Sequence, residues 1–142
     1  MLTFLGHAAF MYETENEILL MDPWMSKSGA FDSSWYQFPN NHLLGDDIQK
    51  KIESTDYEVY IFISHEHKDH FDVPYLKTLK LNKVNFITPK FRRDHVASVL
   101  NTLNPKSVTT PVDSEIINIG NLEIRLFLDD QEIVRDSALG LY

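Results

Sequence analysis

The sequence predicts an α+β fold, and three observations support this. The opening residues form short apolar runs separated by turn-forming residues. The apolar run at residues 59–63 is rich in β-branched and aromatic side chains and lacks helical periodicity, which indicates a buried strand. Residues 92–103 instead place four apolar side chains at the spacing of one helical face: Val96, Val99, Leu100 and Leu103. A chain of 142 residues is one domain, long enough to bury a core.

The first half of the chain is predicted to be mostly strands. These strands cover residues 2–5, 8–13, 17–21 and 59–63. Pro23 ends the third strand because proline lacks the N–H donor that a strand ladder needs. Residues 25–45 form a long aromatic loop, and loops of this length are usually functional or disordered. Asp46 and Asp47 cap a helix that ends at about Glu53.

The second half alternates helices and strands. Pro74 fits the first turn of a short helix at residues 73–79. A second helix is predicted at residues 92–103, and Gly120 and Asn121 form a hairpin turn. Further strands are predicted at residues 84–88, 107–110, 115–119, 122–128 and 133–141.

Residues 65–70 carry most of the functional information. This stretch, His-Glu-His-Lys-Asp-His, places three imidazoles and a carboxylate directly after the buried strand at residues 59–63. In an extended segment alternate residues face the same side, so His65, His67 and Asp69 lie on one side. His70 would face the other side, so it needs a turn to point toward the same region.

These side chains are ligands for zinc, iron or manganese, which favour neutral imidazole and carboxylate groups. Two such ions about 3.5–4 Å apart form a hydrolytic site. The alternative is a solvated histidine-rich loop. An expression tag is excluded by position, because a tag would be terminal and homopolymeric.

The motif matches the H-x-H-x-D-H signature of the metallo-β-lactamase superfamily. Residues 5–10, 22–24 and 34–39 resemble the branch with L-ascorbate-6-phosphate lactonase-like hydrolases and CMP-N-acetylneuraminate hydroxylase-like proteins. This resemblance implies an αβ/βα sandwich, with two sheets face to face and helices outside. Because the superfamily domain is longer, residues 1–142 are expected to form its N-terminal portion.

The resemblance also implies which residues bind metal. His65 and His67 would hold a first ion, and Asp69 and His70 a second, with Asp69 also orienting the attacking water and accepting its proton. The expected cofactor is one or two divalent ions, zinc first and iron or manganese as alternatives. The family takes its remaining ligands from later strands, where Asp136 is either a ligand or an ordinary strand carboxylate.

Other residues near the motif have two interpretations each. Asp22 either fixes an imidazole tautomer or starts a turn before Pro23. His7 either lines the cleft or has a structural role. His42 is expected at the surface or the rim of the cleft, and His95 in solvent.

Aromatic side chains between the first strands and the first helix are predicted to be core or interface residues rather than a substrate wall. They are Trp24, Trp35, Tyr36 and Phe38. Glu66 and Lys68 are expected to point outward, because they alternate with the predicted ligands.

Composition excludes several classes of partner. With no cysteine, the chain has no disulfide and no thiolate metal site, and it lacks the Rieske cluster of the hydroxylase-like proteins. The absence of cysteine is compatible with the cytoplasm. A net charge of −8 disfavours nucleic acid. No apolar run is long enough to span a membrane. The expected partner is a small-molecule substrate, and association with a second copy of the chain is an alternative.

Two functions from different classes follow from these features. The first is a metal-dependent hydrolase that uses activated water on a small-molecule ester, lactone or phosphoester. The second is an incomplete or non-catalytic metal-binding module that needs a partner chain or a missing C-terminal half. A nuclease of the same superfamily is weakened by the acidic charge balance.

Overall fold

The structure, a computed structural model, describes residues 1–130 and 135–142 and confirms the α+β class. Its strands are β1 (Leu2–Gly6), β2 (Ala9–Glu13), β3 (Glu17–Met21), β4 (Glu58–Phe62), β5 (Val84–Ile87), β6 (Ser107–Thr109), β7 (Ile116–Ile119), β8 (Leu122–Asp130) and β9 (Arg135–Leu141). Its α-helices are α1 (His42–Ser54), α2 (Val73–Leu76) and α3 (His95–Thr102). The first two residues of the strand predicted at 133–141 lie outside the described residues.

Strands β1 to β6 form one sheet in chain order. The pairs β1–β2 and β2–β3 are antiparallel, and β3 to β6 run parallel to one another. Helices α1, α2 and α3 connect the successive parallel strands. The carboxyl ends of β3, β4, β5 and β6 therefore meet at one edge of the sheet, where open α/β sheets usually bind ligands.

A first apolar core fills the space between this sheet and the helices. In β3, Ile18 and Leu20 face the helices while Leu19 faces the opposite side, so the strand is buried on both faces. This explains its continuous apolar sequence. The helices contribute the buried side chains Ile48, Ile52, Tyr75, Leu76, Val96 and Leu100.

A second core lies between the six-stranded sheet and a three-stranded antiparallel sheet of order β7–β8–β9. Strand β8 alternates, with Leu122, Ile124 and Leu126 buried and Glu123 and Phe127 exposed. Its buried side chains pack against Leu19, Phe62 and Ile87. The described residues thus form three layers: helices, sheet and sheet. Removing one of these core side chains costs about 2–5 kcal/mol.

The hairpin turn between β7 and β8 was predicted correctly. Ile119 pairs with Leu122, so Gly120 and Asn121 are the two turn residues. Gly120 has φ +59°, a left-handed conformation that glycine adopts at little cost.

The helix boundaries differ from the predictions. Helix α1 begins at His42 rather than at Asp46, after Asn41, whose buried side-chain amide donates to the carbonyls of Leu5 and Trp24. These tertiary contacts fix the start of the helix, and the sequence alone does not reveal them. Helix α2 ends at Leu76, three residues early, and α3 begins at His95, three residues late. Within the described ranges, no helix is long and apolar enough to cross a membrane.

Candidate metal centre

The predicted metal ligands lie where the parallel strands end. Strand β4 ends at Phe62, and the buried residues Ser64 and His65 follow soon after. Strand β3 ends at Met21 and is followed by Asp22, whose amide donates to the carbonyl of Phe62 over 3.0 Å. This parallel pairing places Asp22 beside the histidine loop, although the two are distant in sequence.

A turn reverses the loop at the end of the motif. The amides of His70 and Phe71 both donate to the carbonyl of His67, at 3.0 and 2.7 Å. His70 thereby returns toward the start of the loop, and its ring centroid lies 4.2 Å from that of His65. The turn that the position of His70 in the motif requires is therefore present.

Asp22 accepts hydrogen bonds from both sides of this loop. Its Oδ1 accepts from the amide of Ser64 at 2.7 Å, and its Oδ2 accepts from the hydroxyl of Ser64 at 2.6 Å. The same Oδ2 lies 2.9 Å from Nδ1 of His70. The Asp22 side chain therefore contacts an imidazole, as the tautomer-fixing interpretation expects, and its own φ of +43° is left-handed.

Donor counting assigns the histidine protons at this centre. A carboxylate cannot donate, so the single hydroxyl proton of Ser64 points at Asp22. The hydroxyl oxygen must then accept from Nδ1 of His65, 2.9 Å away, while Nδ1 of His70 donates to Asp22. Both rings carry their proton on Nδ1 and have a lone pair on Nε2, which is the form in which imidazole binds a metal.

His65 and His67 meet on one side of the loop, as their spacing predicts. Nε2 of His65 lies 2.9 Å from Nδ1 of His67, and their rings are close to perpendicular. His65 is buried and His67 is exposed. The first pair of predicted ligands therefore brings two ring nitrogens together at the surface end of the loop.

The second sheet reaches the loop through β9. The hydroxyl of Ser137 donates to the carbonyl of Ser64 at 2.9 Å. Asp136 Oδ1 lies 3.4 Å from Nδ1 of His65, the nitrogen assigned a proton. This contact places a negative charge beside the protonated nitrogen of His65. It gives no support to Asp136 as a ligand sharing an ion with Nε2 of that ring.

Asp69 and His70 meet a histidine from outside the motif. Asp69 Oδ2 lies 2.9 Å from Nε2 of His7 and 3.4 Å from Nε2 of His70. Asp69 is buried and the His7 side chain is 30% exposed. One ligand atom from each of the three residues lies within 4.8 Å of the other two, a spacing that suits one metal ion.

The environment shifts the pKa values of buried His65 and half-buried His70 in opposite directions. Burial lowers the pKa of His65, and the nearby His70 adds to this effect. Burial also disfavours the charged form of His70, but its hydrogen bond to Asp22 and the charges of Asp22 and Asp69 outweigh burial and raise its pKa. His65 is thus held neutral, and His70 is tied to its carboxylate partners.

The remaining candidates divide between core and surface. Trp24 is 2% exposed and belongs to the interior, as predicted, whereas Trp35, Tyr36 and Phe38 are exposed. These three are therefore not core residues, and an interface role for them stays a prediction. His42 is half-buried at the start of α1, and His95 is exposed, as expected.

The residues between the ligands point outward, as predicted. Glu66 and Lys68 are exposed, and Nζ of Lys68 lies 3.1 Å from Oδ1 of Asp32 in the aromatic loop. They border a cavity of about 390 Å³ with an apolar lining that includes Phe71 and Val73. None of the four predicted metal ligands lines this cavity, so it lies beside the metal centre rather than at it.

Sequence reasoning assigned no role to Ser64 and left that of His7 open. The signal for Ser64 was its position between the buried strand and the first histidine, where a short hydroxyl side chain reaches a neighbouring strand end. The signal for His7 was its place directly after Gly6, at the end of a strand. In both cases the partner comes from a distant part of the chain.

Comparison with known proteins agrees with this architecture. Residues 1–138 match the family described as "Beta-lactamase superfamily domain". A "Putative Rieske 2Fe-2S iron-sulfur protein" of Mycolicibacterium smegmatis is 37% identical over 75 residues, which are 53% of this chain and 13% of that protein. A "UPF0173 metal-dependent hydrolase" of Cereibacter sphaeroides is 30% identical over 69 residues, which are 49% of this chain and 24% of that protein. The matched segments thus span a quarter or less of these curated relatives.

Solved structures share the fold at low sequence identity. CmlA, a diiron beta-hydroxylase from Streptomyces venezuelae, matches with a TM-score of 0.68 and 18% identity. The match covers 99% of this chain and 27% of CmlA. "A possible metal-dependent hydrolase" from Veillonella parvula has a TM-score of 0.68 and 12% identity, covering 99% of this chain and 57% of that protein.

Proposed function

We propose that this chain, which belongs to the beta-lactamase superfamily, acts as a metal-dependent hydrolase. The observation that carries the proposal is the fixed orientation of two imidazoles. Ser64 accepts from Nδ1 of His65 and Asp22 accepts from Nδ1 of His70, so each ring keeps its lone pair on Nε2, the nitrogen that can bind a metal. A solvated loop would leave its histidines exposed and without fixed hydrogen-bond partners.

The donors fit a divalent first-row ion. They are imidazoles and a carboxylate, and the chain has no cysteine to offer a thiolate. Zinc is the proposed ion, with iron or manganese as alternatives, and His65, His67, Asp69 and His70 would hold one or two ions. When bound, such an ion lowers the pKa of its water to about 7 and polarises the oxygen under attack.

Asp69 is the proposed catalytic residue. Its carboxylate is buried, and its Oδ2 lies 2.9 Å from Nε2 of His7 and 3.4 Å from Nε2 of His70, contacts that restrict its movement. From this fixed position it orients the attacking water and accepts a proton at a carboxylate oxygen. Because the side chain is fixed before substrate arrives, little reorganisation is needed during the reaction.

The proposed substrate is a small-molecule ester, lactone or phosphoester. A net charge of −8 opposes the approach of nucleic acid, so a nuclease function is not proposed. The proposed location is the cytoplasm, with which the absence of cysteine is compatible.

The test measures metal content and hydrolysis on the same samples. The chain is loaded with Zn²⁺, dialysed and examined by elemental analysis, then assayed with p-nitrophenyl acetate, a γ-lactone and bis-p-nitrophenyl phosphate. We expect bound zinc and hydrolysis of at least one substrate, with a loss of about 100-fold or more in Asp69→Asn. Asp56→Asn, an exposed change before β4, is the control. Absence of bound metal would overturn the proposal.

The second candidate function is a metal-binding module that works only with a partner chain, including a second copy. Its support is the edge strand β1, where Leu2 and Phe4 are 58% and 62% exposed. Bound zinc without hydrolysis, together with a dimer in light scattering, would favour this candidate over the first.

A further inference from the structure

We propose that His7 is a metal ligand and completes a three-donor site with Asp69 and His70. This inference rests on the proposed metal-dependent function and adds a ligand from outside the histidine motif. His7 lies in the connection between β1 and β2, and its Nε2 contacts the carboxylate of Asp69, which is 62 positions away in the sequence. The tertiary structure alone brings it to the centre.

The distances suit ligands of one ion. Zinc–nitrogen and zinc–oxygen bonds are about 2.0–2.2 Å, so two donors on the same ion lie about 3–4 Å apart. Asp69 Oδ2 lies 2.9 Å from Nε2 of His7 and 3.4 Å from Nε2 of His70. The ring centroids of His7 and His70 are 5.3 Å apart. Two imidazoles and one carboxylate are also a common donor set for zinc and non-haem iron.

The protonation of His70 supports this role for the cluster. Nδ1 of His70 donates to Asp22, so its Nε2 is the lone-pair nitrogen, and this nitrogen faces Asp69. Nε2 of His7 faces the same carboxylate oxygen from another side. Within the described part of the chain, these three residues are the group whose donor atoms converge closely enough to hold an ion.

The backbone is distorted to place His7 at this position. His7 has φ +51° and Gly6 has φ +123°, and the β1–β2 register is irregular between Phe4 and Gly6. A left-handed conformation at a residue other than glycine costs about 1 kcal/mol or more, and such costs often occur at functional sites.

Neighbouring aromatic rings hold the imidazole in place. Trp24 and Trp35 both contact the His7 ring edge-on, with centroid separations of 5.4 Å. The side chain stays 30% exposed, so water or a small substrate can reach the cluster. The alternative role is a hydrogen-bond donor that only orients Asp69, and the experiment must separate the two roles.

The experiment compares zinc binding by the full chain and three variants. His7→Ala removes both roles, whereas His7→Gln keeps an N–H of similar reach that can still donate to Asp69 but is a poor ligand. His95→Ala is the matched control because His95 is exposed and lies outside the cluster. Zinc titration calorimetry gives stoichiometry and affinity, Co²⁺ absorption reports the donor set, and circular dichroism confirms folding.

We expect His7→Ala and His7→Gln to raise the Kd of one bound zinc ion by about tenfold or more and to change the Co²⁺ spectrum. His95→Ala should match the unmodified chain. Unchanged affinities in both His7 variants would overturn the ligand role while leaving the hydrolase proposal intact. Loss of affinity in His7→Ala but not in His7→Gln would also overturn it, because orientation of Asp69 would then suffice. Failure of the unmodified chain to bind any zinc would instead remove the hydrolase proposal itself.

Discussion

Nδ1 of His70 lies 2.9 Å from Oδ2 of Asp22, so a residue 48 positions earlier fixes the last histidine of the motif. This contact exists because β3 and β4 are parallel neighbours, and Asp22 and the histidine loop both follow the carboxyl ends of these strands. The pairing of two buried strands thus determines which nitrogen of His70 is free. Changes at this contact should therefore affect metal binding before they affect the fold.

Asp22→Asn should weaken zinc binding about 10- to 100-fold. The amide has one acceptor oxygen where the carboxylate has two, so it cannot serve Ser64 and His70 with the same geometry and charge. Competition with a chromogenic chelator measures the change, with Asp56→Asn as the control. Equal affinities in the two variants would show that Asp22 does not orient the ligands.

Ser64→Ala should lower the free energy of unfolding by about 1–3 kcal/mol. The hydroxyl donates to Asp22 and accepts from His65, and its loss leaves two buried polar groups each without that partner. Urea denaturation without metal isolates this effect from zinc binding. A difference below about 0.5 kcal/mol would mean that the Asp22–Ser64–His65 chain adds little to stability.

Thr88→Val should leave stability unchanged or raise it slightly. Thr88 is fully buried, and its Oγ1 has no hydrogen-bond partner among the described residues, so the methyl group of valine replaces an unsatisfied hydroxyl.

Thr14→Val is the contrasting control, with an expected loss of about 1–2 kcal/mol. The Thr14 hydroxyl donates to the Glu17 carboxylate and accepts from the amides of Asn16 and Glu17. Thermal unfolding of both variants tests the pair. A larger loss in Thr88→Val than in Thr14→Val would contradict the assignment of partners.

The surface pair of Glu58 and Lys106 should make a small, pH-dependent contribution to stability. The hydrogen bond from Lys106 lowers the pKa of Glu58 on folding, and the charge of Lys106 adds to this. A folded pKa below the unfolded value stabilises the protein above the unfolded pKa, and the contribution disappears as the pH falls through the folded pKa.

The stability difference between the unmodified chain and Glu58→Gln should therefore be largest near neutral pH and shrink as the pH falls through the lowered pKa of Glu58. Chemical denaturation at several pH values measures it. A difference that grows on acidification would have the wrong sign for this assignment.

The histidine motif determined much about this protein without a structure. Its residue types and spacing predicted a metal centre at a strand end. The alternation of side chains along an extended segment predicted that His65 and His67 share a side and that His70 follows a turn. The apolar patterns of β3, β4 and β8 also predicted strands and the class of fold. These features are local, because strand periodicity and turn chemistry act over a few residues.

Only the tertiary structure decided which residues join the motif. His7 lies at the Asp69 carboxylate, Asp22 and Ser64 fix the imidazole protons, and Asp136 approaches the protonated side of His65. These partners arrive from other strand ends, and their positions depend on strand order and register, which local sequence patterns do not encode. The start of α1 at His42 has the same cause, since Asn41 is anchored by carbonyls from two other segments. Sequence thus defined the donors of the motif, while packing of the strands determined their partners and their free nitrogens.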